Sequence, residues 1–174
     1  RALDYLGEGA MGIFARLKQM DPASGFLPDF VDLHIGPYLA ELKARGIKVV
    51  ANAGGLNPEG LAALIRTRGA EQGLALKVAT VSGDDILPLT ATLRAEGVRD
   101  MFNGAELPER PGSFHAYPGA FPIAAALAAG ADVVITGRVA DSALILGPLI
   151  HEFGWGADDL DLLAGGTVAG HLLE

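Results

Sequence analysis

Hydrophobic positions along this chain alternate between short unbroken runs and longer stretches with helical spacing. Residues 2–6, 48–52, 76–81 and 132–136 hold the unbroken runs; the last, DVVIT, is β-branched through its centre. Such runs, with no polar alternation, predict strands buried on both faces of a parallel sheet. Between them the apolar residues recur at helical intervals. Met11, Phe14 and Leu17 mark a helix over 11–20, and Val31, Ile35, Tyr38, Leu39 and Leu42 form a stripe after Phe30. Pro37 predicts a kink in that stripe, because its ring displaces the carbonyl of Leu33. Asn57-Pro58-Glu59 predicts a helix start: a capping side chain, proline at the first helical position and an acid in the first turn. Leu61, Leu64 and Ile65 then give that helix its buried face. Further helices are expected around Ile86, Leu89 and Leu93, over the Ala-rich 120–129, and after Asp141-Ser142. Residues 103–115 predict a long irregular excursion, and 158–161 an acidic turn before a last helix near Leu172.

Strands alternating with helices at this spacing imply right-handed βαβ units. The expected fold class is α/β: a mainly parallel, doubly wound, Rossmann-like sheet with helices on both faces and the strand order left open. No repeat or linker divides the chain, so residues 1–174 are expected to form a single α/β domain. It opens on Arg1 and stops at Glu174 inside a helical-looking AGHLLE, which points to a fragment of a longer chain. Half of its residues are apolar, enough for one substantial core. A net charge of −8 with no Lys/Arg cluster argues against a nucleic-acid partner. The absence of cysteine excludes disulfides, thiolate metal sites and a cysteine nucleophile, and it suits a cytoplasmic location. The longest apolar run, around 121–129, is too short to span a bilayer.

Chemistry-bearing residues fall unevenly. Turns from helix to strand, at Gly46, Gly73 and Gly130, read as plain caps. Turns from strand to helix carry Gly7-Glu8-Gly9, Asn52-Ala53-Gly54-Gly55, Ser82-Gly83-Asp84-Asp85, and Gly137-Arg138 with Asp141 and Ser142. In a parallel sheet the second group shares the carboxyl edge, where ligands of open α/β sheets gather. The opposite rim is expected to be chemically plain.

Each candidate has a bland counterpart. Asn52, Gly54 and Gly55 either offer N–H groups to an anion or simply make a tight turn. They match neither a Walker loop nor a full dinucleotide fingerprint, which disfavours nicotinamide chemistry. Asp84 and Asp85 either hold a ribose, a hydroxyl or a cation, or cap and charge a helix start. Arg138 either clamps a carboxylate or phosphate, with Ser142 adding a hydroxyl, or pairs internally with Asp141. Glu8, Asp84, Asp85 and Asp141 are the candidate proton carriers, and His115 a candidate acid–base or ligand group. His34 reads as a packed or boundary residue, and His151 as support for a helix end. No pair of histidines has metal-ligand spacing, so no metal site is expected.

The segments GEGAMGIFAR at 7–16, VVANAGGLNP at 49–58 and SGDD at 82–85 resemble the acyclic terpene utilisation (AtuA-type) family. The long block AYPGAFPIAAALAAGADVVITGRVADSALILGPLIHEFGW at 116–155 carries the resemblance furthest, and GTVAGHLLE at 166–174 is similar to its continuation. The resemblance implies a role in bacterial breakdown of branched acyclic terpenes such as citronellol and geraniol, through coenzyme A thioesters. The expected function is an enzyme of acyl-CoA or related carboxylate metabolism, working by hydration or carbon–carbon cleavage. The alternative is a non-catalytic metabolite-binding or scaffold subunit. Expected partners are a small molecule and either a second copy or a partner subunit, with coenzyme A entering as part of the substrate.

Overall fold

The computed structural model describes residues 1–173; the side chain of Glu8 lies outside the described residues. Its centre is a four-stranded sheet of order β1-β2-β4-β3: β1 (Ala2–Leu3), β2 (Val49–Ala51), β3 (Val78–Val81) and β4 (Val133–Thr136). Every pair is parallel, with Ala2 opposite Val50, Val50 opposite Val134, and Ala79 opposite Val134. The run DVVIT thus becomes an interior strand, and all four of its residues in β4 are buried.

Side chains alternate across the sheet. Val49, Ala51, Val133 and Ile135 pack with Phe30, Val31, Leu39, Leu61 and Ile65 on one face. Val50, Val81 and Val134 pack with Ile123, Leu127, Leu144 and Ile150 on the other. The first face is covered by α3 (Pro58–Glu71) and the segment ending in α2 (Leu39–Ala44); the second by α5 (Phe121–Ala128) and α6 (Ala143–Phe153). α7 (Leu160–Leu173) lies against α6. The Asn57 start forms as expected: its side-chain oxygen accepts the Gly60 N–H at 3.0 Å.

Three details depart from the pattern. The stripe after Phe30 does not form one kinked helix; it runs as a π-helical turn (Phe30–Ile35), a 3-10 turn (Gly36–Tyr38) and α2. Changing the hydrogen-bond period is how the chain absorbs Pro37. It also turns Tyr38 outward, to 55% exposure, although it belongs to the predicted apolar stripe. The segment of Ile86, Leu89 and Leu93 forms only a 3-10 turn (Leu87–Leu89) and a short α4 (Thr90–Ala95), neither with a buried residue. The third departure is α1 (Glu8–Met20), which joins neither face. Its Met11 and Phe14 pack with Leu6 and Leu56, in the loops beyond β1 and β2, and with Leu27, in the loop that follows α1. α1 therefore lies over the carboxyl edge.

The opposite rim is not plain. Asp132, just before β4, accepts from Lys43 Nζ at 2.7 Å, Lys48 Nζ at 3.2 Å and the Lys77 N–H at 2.9 Å. Burial opposes its charge, but these donors outweigh burial and bring its pKa down to about 2. A residue preceding a strand signals no chemistry in sequence; here it ties the entries of three strands together.

Candidate functional site

β2 and β4 are neighbours in the sheet, yet the helices that follow them leave to opposite faces: α3 to one, α6 to the other. This is a topological switch point, where the loops diverge and a crevice opens at the carboxyl edge. The chain fills much of that crevice itself. Gly54 donates to the Thr136 carbonyl at 3.2 Å, and a Cβ at Gly54 would sit 2.5 Å from that oxygen. Only glycine lets the β2 loop approach β4 this closely. The Asn52 amide is buried between β1 and β2. Its Oδ1 accepts the Tyr5 N–H at 2.7 Å and its Nδ2 donates to Asp4 Oδ1 at 2.6 Å. Gly55 N–H is donated to the Asn52 carbonyl. Asn52, Gly54 and Gly55 are thus internal brackets between strand ends.

Arg138 is 4% exposed at the end of β4. It donates to the Leu6 carbonyl and to Asp141 Oδ1, both at 2.7 Å, and its guanidinium lies 4.3 Å from the centre of the Tyr117 ring. Burial lowers the stability of its charge, but Tyr117 and Asp141 more than compensate, so its pKa is raised. Arg138 therefore links the ends of the first and fourth strands, and the Asp141 pair is present. Ser142 turns away from the crevice: it is packed against α7, where a Cβ at Gly170 would come within 2.7 Å of Ser142 Cβ.

The two adjacent acids divide their roles. Asp85 is exposed and accepts the Leu87 N–H at 3.0 Å, a local turn bond. Asp84 is buried, and its Oδ2 accepts the Arg138 N–H at 3.0 Å and meets His115 Nδ1 at 3.2 Å. Gly137 makes room for that carboxylate, since a Cβ there would lie 2.4 Å from Asp84 Oδ2. His115 comes from the far end of the irregular excursion. It is brought home by an antiparallel bridge between Asp85 and His115, closed by Ile86 N–H to Phe114 O and Ala116 N–H to Asp84 O. This ladder fixes the imidazole against the carboxylate from both sides.

A carboxylate only accepts, so the His115 Nδ1 proton points toward Asp84. The His115 side chain is 8% exposed, and its buried Nε2 has no hydrogen-bond partner. Buried polar atoms without partners are uncommon, and they cluster where a ligand or reacting group completes them. Beside this imidazole lies a pocket of about 180 Å³, lined among others by Lys18, Leu56, Asp85, Leu87, Ser113 and His115. An imidazole held by a buried carboxylate, with its other nitrogen unpartnered, is an arrangement suited to a general base or acid.

Sequence reading placed Asp84, Arg138 and Asp141 at one rim and left His115 in the irregular excursion; the structure brings all four into one network. The side chain of Glu8, at the start of α1, lies outside what the structure describes. Sequence reading missed three participants. Asp4 could have been found as one more acid at a strand end; Tyr117 and Lys18 carry no local signal, because their places depend on how α1 and the excursion fold over the rim. Among the described residues no cluster of three or more His, Cys, Asp or Glu side chains is arranged to hold a metal. Nor is any described helix long and apolar enough to cross a membrane.

No curated protein and no solved structure matches this chain. A family model does: that of the acyclic terpene utilisation family protein AtuA, over residues 2–174. The matched span includes all four strands and every residue of the rim network, and on that match the chain belongs to the acyclic terpene utilisation (AtuA) family.

Proposed function

We propose that this chain belongs to an enzyme acting on a carboxylated metabolite carried as a coenzyme A thioester, within acyclic terpene utilisation, with His115 as the proton-transfer group. The observation that supports this most is the Asp84–His115 pair, whose buried Nε2 has no partner. Hydration and carbon–carbon cleavage both need a group that takes or gives a proton at carbon or oxygen; an imidazole takes one when neutral and gives it back from its protonated form. Asp84 orients the ring, while Arg138 and Asp141 hold the loop that presents Asp84. Asp85, on the wall of the adjoining pocket, is the second acid within reach of a bound molecule.

The test is turnover of a panel of acyl-CoA esters by the intact protein and by His115→Gln. The expected loss is about 100- to 10,000-fold, the range for removing a positioned acid–base group. Equal turnover by the two proteins would refute the assignment. A second reading, a metabolite-binding or scaffold subunit, draws on the outer side of α7 and the end of α6. There Phe153, Leu160, Leu172 and Leu173 are all more than two-thirds exposed. A thermal transition that no thioester raises, together with co-purification of a neighbouring protein, would favour it.

A further inference from the structure

The pocket beside His115 has a chemistry of its own. Ala15, Leu56 and Leu87 supply apolar wall, and Lys18 contributes a cation. Lys18 Nζ donates to the Leu56 carbonyl, and among the described residues no carboxylate lies within salt-bridge distance of it. An ammonium has three protons to donate, so Lys18 can hold a further acceptor. A pocket of this kind, mainly apolar with a few convergent polar groups, is what small-molecule sites look like. Its volume of about 180 Å³ limits what can enter. A 150 Å³ apolar cavity holds benzene, so this one admits about seven or eight non-hydrogen atoms.

From this we infer that the pocket between α1 and the 84–87 and 113–115 segments binds a short acyl group. The carboxylate or thioester carbonyl oxygen sits on Lys18 Nζ, the apolar body lies against Leu56 and Leu87, and the His115 imidazole forms part of the wall. The inference deepens the reading of His115 as the proton-transfer group and rests on it. A free acid and the acyl end of a thioester share this chemistry, and the two are told apart below. Most of a coenzyme A moiety would have to remain outside, since the pocket is too small for it.

The experiment follows the His115 imidazole resonances by NMR while the intact protein is titrated with pentanoate, decanoate and pentanoyl-CoA. Saturable shifts with pentanoate identify the free acid as a ligand; shifts with pentanoyl-CoA alone identify the thioester. Lys18→Met should weaken the bound form at least tenfold, and Leu87→Trp and Ser113→Trp, which fill the pocket from opposite segments, should abolish the shifts. Thermal melts of each variant show whether it is folded; Lys18→Met decides the matter if both Trp variants are not. Decanoate should bind at least tenfold more weakly than pentanoate. No shift with either short ligand, binding that survives in the folded Trp variants, or decanoate binding as tightly as pentanoate would overturn the inference. Failure of the underlying reading looks different: short ligands bind, but His115→Gln turns over thioesters as fast as the unaltered protein.

Discussion

Each rim of the sheet holds one aspartate collared by donors, and the two collars do opposite things. Asp132, on the amino rim, is surrounded by two lysine side chains and a backbone N–H. Its partners are cations that stay charged, so the cluster is static and its product is a carboxylate that resists protonation down to about pH 2. Asp84, on the carboxyl rim, is held by a backbone N–H and an imidazole. The Nε2 of that imidazole has no hydrogen-bond partner, so on the proposed reading the same type of collar acts through the ring on a bound molecule. What separates structural from chemical use of a buried acid is the spare bonding capacity of its partners.

The comparison breaks most severely at Arg138. Arg138→Ala removes the bonds to Leu6 and Asp141 and leaves a void under Tyr117; urea unfolding should show a loss of about 3 kcal/mol. Gly137→Ala comes next. The new methyl must displace the Asp84 carboxylate, costing about 2 kcal/mol by overpacking, and should cut turnover sharply while leaving the fold recognisable by circular dichroism. Asp132→Asn is the mildest, at about 1 kcal/mol, because Lys43 and Lys48 are each more than a third exposed and solvent screens the pairs. It should leave turnover unchanged, and it carries a pH signature. A carboxyl whose folded pKa lies below its unfolded value stabilises the fold above the unfolded value, near pH 4. That advantage declines as the pH falls through the folded value of about 2, so unaltered protein and variant should converge in acid denaturation below it. A turnover loss in Asp132→Asn comparable to that in Gly137→Ala would erase the distinction between the rims.

Much of this arrangement was legible in the sequence because it follows from local chemistry. Continuous apolar runs located the strands, Asn57-Pro58 located a helix start, and the parallel topology put the strand-to-helix turns on one edge. The internal Arg138–Asp141 pair was one of two readings, and it forms. Asp84 and Asp85 could not be ranked, since adjacent acids differ only in which side of the turn the backbone gives them. Asp132 escaped notice because its partners Lys43, Lys48 and Lys77 come from α2 and the entries of β2 and β3, far from it in sequence. Tyr38 was assigned to a buried stripe by an α-helical period that the chain abandons at Gly36 and Pro37. Lys18 was invisible for the same reason as Tyr117: nothing in a heptad or a turn says that α1 will leave the sheet faces and lie over the rim.

The position of β4 has a consequence for how the molecule comes together. It follows the other three described strands in sequence, yet it is inserted between β2 and β3, which do not touch each other. A nascent chain halted before Val133 would have β1 and β2 available to pair, while β3 would lack any neighbour. Nor could it form the crevice, whose Thr136 carbonyl and Arg138 come from the arriving segment. Such long-range closure is slow because loop entropy is lost before contacts repay it. Amide protection in β2, β3 and β4 should therefore appear together and late, as one cooperative event, with the chemistry of the rim switched on by the same step.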